Sequence, residues 1–367
     1  MKVKAAIIRE KGGRFLIEDA ELDEPKQGEI LVKISGCGIC HADMAARDQV
    51  HPLRLPAVLG HEGSGIIVKT GDGVRELKTG DHVILHAYSC GRCEPCLKGH
   101  PAYCLRQHGV NFGGVHSDGT RRLRDGAGTE LSTFFNQSSF ATYAVASENN
   151  AVKVDEDVDI ALLGPLGCGI QTGAGAVINK LRPQVGDSFV VFGCGAVGMS
   201  AVMAAKAAGC TPIIGVDIVG SRLETALELG ASHVINSREN ANVHDEIMKI
   251  TEGGADFSLD TSALPSMVIA GLECLKLGAR AAVVGSSGDV TTGIKLQETL
   301  MGSARSLEGV VQGDSIPKLF LPRLIRLYKA GMFPFDRLIK FYDFDEINEA
   351  ASDSRKGVTI KPVLRHC

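Results

Sequence analysis

An apolar stretch, Ser188-Phe189-Val190-Val191-Phe192, runs directly into Gly193-x-Gly195-x-x-Gly198, and this junction restricts the fold more than any other feature of the chain. A buried strand bending tightly into a helix needs residues without Cβ atoms at the bend. The helix N-terminus left there attracts a pyrophosphate. Residues 196–208 read as that helix, 212–216 as a second strand and 221–229 as a second helix. The alternation continues through strands at 233–235, 256–259 and 281–284. Strand and helix repeated in this order specify a parallel, doubly wound α/β sheet. Asp217 closes the second strand 19 residues past the last glycine. A carboxylate there accepts hydrogen bonds from the adenosine ribose and repels a 2′-phosphate, which favours NAD over NADP; Arg222 tempers the preference. A glycine turn that serves only helix–sheet packing is the competing reading.

Residues 1 to about 165 have a different character: short strands such as 29–34, 65–68 and 81–85, separated by Gly/Asp-rich turns. They predict a β-rich, partly open barrel. From about residue 312 the pattern turns irregular, with Pro317, Pro322 and Pro334 expected to break the helices and a β-like end at 358–360. A sheet domain inserted between two parts of a β-rich domain is the simplest organisation.

The net charge of −4, from 39 basic and 43 acidic residues, favours neither nucleic acid nor a charged membrane surface. No signal-peptide pattern or bilayer-length apolar run is present, so a cytoplasmic chain with reduced thiols is expected. In that setting clustered cysteines bind metal rather than pair as disulfides. Cys90-x2-Cys93-x2-Cys96-x7-Cys104 has the spacing to wrap one ion in four thiolates, which suits a structural zinc with no open position. An iron–sulfur centre is the alternative, but the charged loop (Arg92, Glu94, Lys98) lacks any companion feature of electron transfer. A third group is scattered: Cys40 and His41, His61-Glu62, and Cys168. Alone each reads as a core residue. Together they can give zinc two sulfurs and one nitrogen and leave a position for substrate.

With these residues in hand, the chain resembles the zinc-containing medium-chain alcohol dehydrogenases along nearly its whole length. The segments Phe135-Asn136-Gln137-Ser138-Ser139-Phe140 and Gly164-Pro165-Leu166-Gly167-Cys168-Gly169 look most like those of aryl (benzyl) alcohol dehydrogenases. The resemblance implies a Rossmann domain over 170–311, inserted into a GroES-like barrel domain of 1–169 and 312–367 with a zinc lobe at about 88–106. It implies Cys40, His61 and Cys168 as catalytic zinc ligands, Glu62 behind the metal, and Asp43 orienting His61. It places His41 and Lys361 at the cofactor pyrophosphate and Thr172 at the nicotinamide. It also implies two zinc ions per subunit, a homodimer or homotetramer, and reversible hydride transfer between a primary, benzylic or allylic, alcohol and its aldehyde.

Two positions depart from the family. Ala42 and Ala45 stand where relatives carry groups that relay the proton. His51 and His86 fall on segments that line the pocket in relatives and are candidate substitutes, against the plainer reading of wall or surface histidines. Phe134, Phe135 and Phe140 are expected to form an aromatic pocket wall; a cluster of this kind also makes an ordinary core. Competing functions are an imine or activated-carbonyl reductase on the same scaffold, a non-catalytic zinc protein, and a zinc-free quinone reductase. Cys194, inside the glycine turn, is expected to make cofactor binding sensitive to oxidation.

Overall fold

The computed structural model describes residues 1–286, 288 and 290–366. The chain forms two compact units: one of residues 1–168, 316–323 and 336–367, the other of 169–315 and 324–335.

In the second unit, six strands make one parallel sheet. Its spatial order is His233–Asn236, Ile213–Asp217, Phe189–Phe192, Ala255–Asp260, Leu275–Val283, Ser306–Gly309. The order reverses at Phe189–Phe192, where the glycine turn leaves the strand's carboxyl end, and doubly wound sheets bind ligands at such a switch point. Strand and following helix are both nearly continuous in apolar residues because both are buried. Phe189 to Phe192 are fully covered, and so are Met199 and Ala201 to Ala205.

The first unit is β-rich, with a five-stranded and a seven-stranded sheet forming a nearly closed barrel. The strand Glu29–Gly38 is its hub. It pairs antiparallel with Gly63–Thr70, Tyr143–Ser147 and Lys361–Arg365. Inside, Arg122 (1 % exposed) donates to Glu29 Oε2 through Nε at 3.1 Å and to Oε1 through Nη2 at 2.6 Å. Asp118 accepts a further bond from the same Nη2 at 3.0 Å. Hydrogen bonds of this kind are what make a buried charge tolerable.

Two expectations about the C-terminal part are corrected. Pro317 begins the helix Pro317–Lys329 and Pro322 lies inside it. A proline in the first turn gives up no helical bond, and Phe320, Leu321, Leu324 and Ile325 form a buried helical stripe that holds the helix across Pro322. The last strand is Lys361–Arg365, not 358–360. The helix Ile347–Lys356 ends on a left-handed Gly357, and the amides of Val358 and Thr359 are taken by Asp353 O as the chain leaves the helix. No single helix among the described residues is long and apolar enough to cross a membrane.

Two buried histidines give the first unit a predictable acid response. Burial lowers His86 to about 4; burial, reinforced by Arg122, lowers His116 to about 3. In the unfolded chain both titrate near 6.5, so between the folded and unfolded values the unfolded state holds more protons. Their neutrality therefore stabilises the fold fully above about pH 6.5, and that contribution is lost progressively as the pH falls toward 4 and then 3. Urea midpoints measured from pH 8 to 4 should fall steadily below pH 6.5, and a His116→Gln protein should show a shallower fall.

Candidate active site

Two groups of metal-ligating side chains are built in the first unit. In the cysteine lobe, Cys93 caps the start of the helix Glu94–Leu97 and Cys104 follows the turn Pro101–Tyr103. Backbone N–H groups freed at these ends turn toward sulfur. The amides of Cys96 and Leu105 hold the Cys93 thiol down at about 6, and the Cys90 amide donates to Cys104 Sγ at 3.2 Å. The four Sγ atoms of Cys90, Cys93, Cys96 and Cys104 lie within 4.8 Å of one another, with Cys93 at 3.4 Å from Cys96 and 3.8 Å from Cys104. A tetrahedron with zinc–sulfur bonds of about 2.3 Å has edges of roughly 3.8 Å, so four thiolates at these distances fit zinc.

The other group draws on three separate segments. One ligand-type atom from each of Cys40, His61, Glu62 and Cys168 falls within 4.8 Å of the others. Asp43 brings the first two together. Its Oδ2 accepts the Cys40 amide at 2.9 Å, while Oδ1 accepts the Gly60 amide at 3.0 Å and contacts His61 Nδ1 at 2.9 Å. The bond to the Cys40 amide also caps the helix His41–Arg47 that carries Asp43. With Nδ1 engaged by a carboxylate, His61 turns Nε2 toward the cluster, where that buried nitrogen has no conventional hydrogen-bond partner. A bare imidazole nitrogen among two thiols and a carboxylate is the donor set of an open zinc site, and the residues fit that ion.

The electrostatics agree. The bond between the two thiols lowers Cys40 and raises Cys168. Burial disfavours charge on His61, but the Asp43 carboxylate outweighs it and raises the imidazole. Burial pushes Glu62 up to about 7 against the pull of Lys361. Close backbone approach completes the site. A Cβ on Gly38 would run into the Glu62 carboxylate, and one on Gly63 into the Ser139 hydroxyl.

In the second unit the glycine turn has the shape a pyrophosphate needs. Gly193 is left-handed (φ +89°), and a Cβ on Gly198 would collide with the Gly193 carbonyl. A Cβ on Gly195 would meet nothing within 4 Å, so this glycine keeps the surface of the turn open rather than serving internal packing. Asp217 anchors the turn: Oδ2 accepts the Cys194 amide at 2.6 Å, and Oδ1 accepts those of Ile218 and Val219. Arg222 Nη1 lies 4.0 Å from it.

Comparison with known proteins closes the assignment. Residues 26–156 match the alcohol dehydrogenase GroES-like domain family, and 196–328 match the zinc-binding dehydrogenase family. The geraniol dehydrogenase of Castellaniella defragrans is 44 % identical over 99 % of this chain and 98 % of its own length. The chain belongs to the zinc-dependent alcohol dehydrogenase family. A solved benzyl alcohol dehydrogenase from Acinetobacter calcoaceticus matches this dehydrogenase at 48 % identity and a TM-score of 0.96, covering both chains fully. A Burkholderia ambifaria structure described as an alcohol dehydrogenase zinc-binding domain protein matches at 50 % and 0.97, over 100 % and 99 % of the two chains.

Several residues of the dehydrogenase lie elsewhere than expected. Lys361 was placed at a pyrophosphate, but its strand turns the side chain inward, 3 % exposed. There Nζ donates to Glu62 Oε2 at 2.9 Å, Oε1 at 3.0 Å and Ile39 O at 3.1 Å. Phe140 is no pocket wall; it packs edge-on against Phe15 in the core, 0 % exposed. Phe134 and Phe135 cover His61 itself, at centroid distances of 5.4 and 4.5 Å, and so brace that imidazole. Cys194 is completely buried and burial pushes its thiol up, which removes the basis for oxidation sensitivity. His51 is half-buried, 5.5 Å from the Phe112 ring; His86 is buried with Nδ1 on Ala87 O at 2.8 Å and Nε2 unpartnered. His41 is exposed and Thr172 half-buried.

Two residues were missed. Gln137 donates to His61 O at 3.1 Å and accepts the Gly63 amide at 3.3 Å and the Ser139 hydroxyl at 2.6 Å, so it fixes the backbone on both sides of Glu62. Phe112, half-buried, touches His51, Phe134 and Phe135. Nothing in a lone glutamine or phenylalanine announces such a role.

Proposed function

We propose that the protein is an NAD-dependent dehydrogenase of benzylic or allylic primary alcohols, acting reversibly and holding one catalytic and one structural zinc per chain. The reading rests chiefly on the unpartnered His61 Nε2 facing Cys40, Cys168 and Glu62. The substrate class is supported by relatives described as geraniol and benzyl alcohol dehydrogenases. When bound, zinc supplies Lewis acidity toward the substrate hydroxyl, and NAD supplies the hydride acceptor.

Within this reading Cys40, His61 and Cys168 hold the catalytic ion, and Cys90, Cys93, Cys96 and Cys104 the structural one. Asp43 keeps the Nδ1 proton on His61, leaving Nε2 as the donor to metal. Glu62, neutralised by Lys361, lies beside the ligands without adding net charge. Gly193, Gly195 and Gly198 receive the pyrophosphate, with Thr172 toward the nicotinamide and Asp217 at the ribose. Ala42 and Ala45 offer no relay, so the hydroxyl proton leaves through water or through His51 or His86. A cytoplasmic homodimer or homotetramer accords with the family.

Asp43→Asn should weaken catalytic zinc by about 10- to 100-fold while the lobe keeps its ion. Competition with a chromophoric chelator reads this directly, and unchanged affinity would remove Asp43 from the site.

To test the function, zinc per chain would be measured and, on the same sample, NAD and NADP reduction with benzyl alcohol, geraniol and ethanol. About two zinc ions, NAD preferred, and the aromatic or allylic alcohols far ahead of ethanol are expected. Two zinc ions with no alcohol oxidised but a cyclic imine reduced would replace the proposal with the reductase reading, for which the missing relay matters less.

A further inference from the structure

A second concave surface lies in the first unit, sharing no residue with either cysteine group. It is a cavity of about 390 Å³ lined by Arg14, Arg47 and Arg355, with Asn348, Glu349, Ser352 and the Gly12–Gly13 turn. Three elements meet there and are tied together. The Asn348 amide both accepts from the Phe15 amide (3.0 Å) and donates to Phe15 O (2.9 Å), joining the N-terminal turn to the helix Ile347–Lys356. The Gly12 amide donates to Arg47 O at 2.9 Å, joining that turn to the end of the helix His41–Arg47. The cavity walls are therefore tied by one main-chain bond and by the two bonds of the Asn348 amide.

Its charge is unbalanced. Arg47, whose side chain is 10 % exposed, spends Nε and one Nη on Asp48, at 2.7 and 3.0 Å. Arg14 and Arg355 are exposed and form no ion pair among the described residues. Arg355 also sits where its charge offsets the carbonyl end of its helix. Against the three guanidinium groups stand two carboxylates: Glu349 in the lining, and Asp48, which is paired with Arg47 and also acts on Arg355, so one positive charge is left over. Planar forks converging with a hydroxyl, Ser352, suit tetrahedral oxyanions that accept paired bonds.

We propose that this cavity binds the phosphate group of a small phosphate ester, or free phosphate, as a site separate from the active site. A ligand held by Arg14, Arg47 and Arg355 clamps the helix His41–Arg47 at its far end. That helix begins next to Cys40 and carries Asp43, so occupancy stiffens the segment that presents a metal ligand.

The test is calorimetric titration of the zinc-loaded full chain with inorganic phosphate at constant ionic strength, with sodium chloride and succinate as comparison anions. Saturable phosphate binding is expected, weakened about tenfold or more in an R14A/R355A protein, because each lost charge-assisted bond costs at least that order. The variant should retain its melting temperature in chloride and its basal activity. Equal phosphate binding in variant and wild type would assign the anion to another surface and overturn the proposal. Saturation by succinate but not phosphate would overturn the phosphate assignment. Glycerol phosphate binding more tightly than free phosphate in the wild type alone would support the ester form.

Discussion

A Cys40→Ser protein is expected to keep its fold, hold about one zinc ion per chain instead of about two, and lose alcohol oxidation by at least roughly a thousandfold. The magnitude follows from what the position supports. Lewis-acid stabilisation by a resident metal is worth several kcal/mol, about 4 kcal/mol being a thousandfold. Cys40 is also one of only two sulfur donors in the cluster, so its loss halves the thiolate ligands. A serine hydroxyl is a poor substitute for a thiolate toward zinc. Its amide can still donate to Asp43, so the helix cap should survive, and circular dichroism should match the wild type. A Cys40→Ser enzyme with full zinc and near-normal turnover would remove this cluster from the chemistry.

How far that site could be read from the sequence depended on locality. The glycine turn and the four-cysteine lobe were legible because each is a short run whose spacing carries its own geometry. Cys40, His61 and Cys168 come from segments separated by tens of residues. Their convergence depends on the hub strand and on Asp43, which no spacing rule reports, and the resemblance to relatives suggested it instead. Lys361 was misassigned for a related reason. The sequence shows a basic residue near the end of a strand but not the face it occupies, and one step of strand register separates a solvent-facing ammonium from one buried on Glu62. Pro322 was read as a breaker because local propensity was weighed without the buried stripe that overrides it. For Phe134 and Phe135, sequence alone could not distinguish a pocket wall from a brace behind His61.

Cys104→Ser should have the largest effect on stability. The lobe has almost no core of its own: its buried cluster is Tyr88, Cys90, Cys104 and Val110, with Cys93 and Cys96 packed against it, so most of that cluster is ligand. Structural zinc held by such ligands contributes about 10–16 kcal/mol of apparent binding free energy, and that energy is what folds a segment this small. Losing one thiolate should release the zinc and unfold the lobe locally, while the strand hub, with its own apolar cluster, remains paired. Limited proteolysis should then cut between about residues 90 and 112, where the wild type resists, and a strong chelator should reproduce the pattern in wild-type protein. A mutant lobe as resistant as the wild type would show that the lobe stands without its metal.

The glycines packed around the metal-ligand segments bear on attempts to change what this enzyme accepts. Gly38 and Gly63 admit no side chain because Glu62 and Ser139 already fill the space a methyl group would need. A randomised library that includes them spends its diversity on chains that cannot close around the ligands. Variation is better placed at His51 and Phe112, which are only partly covered and are not themselves ligands.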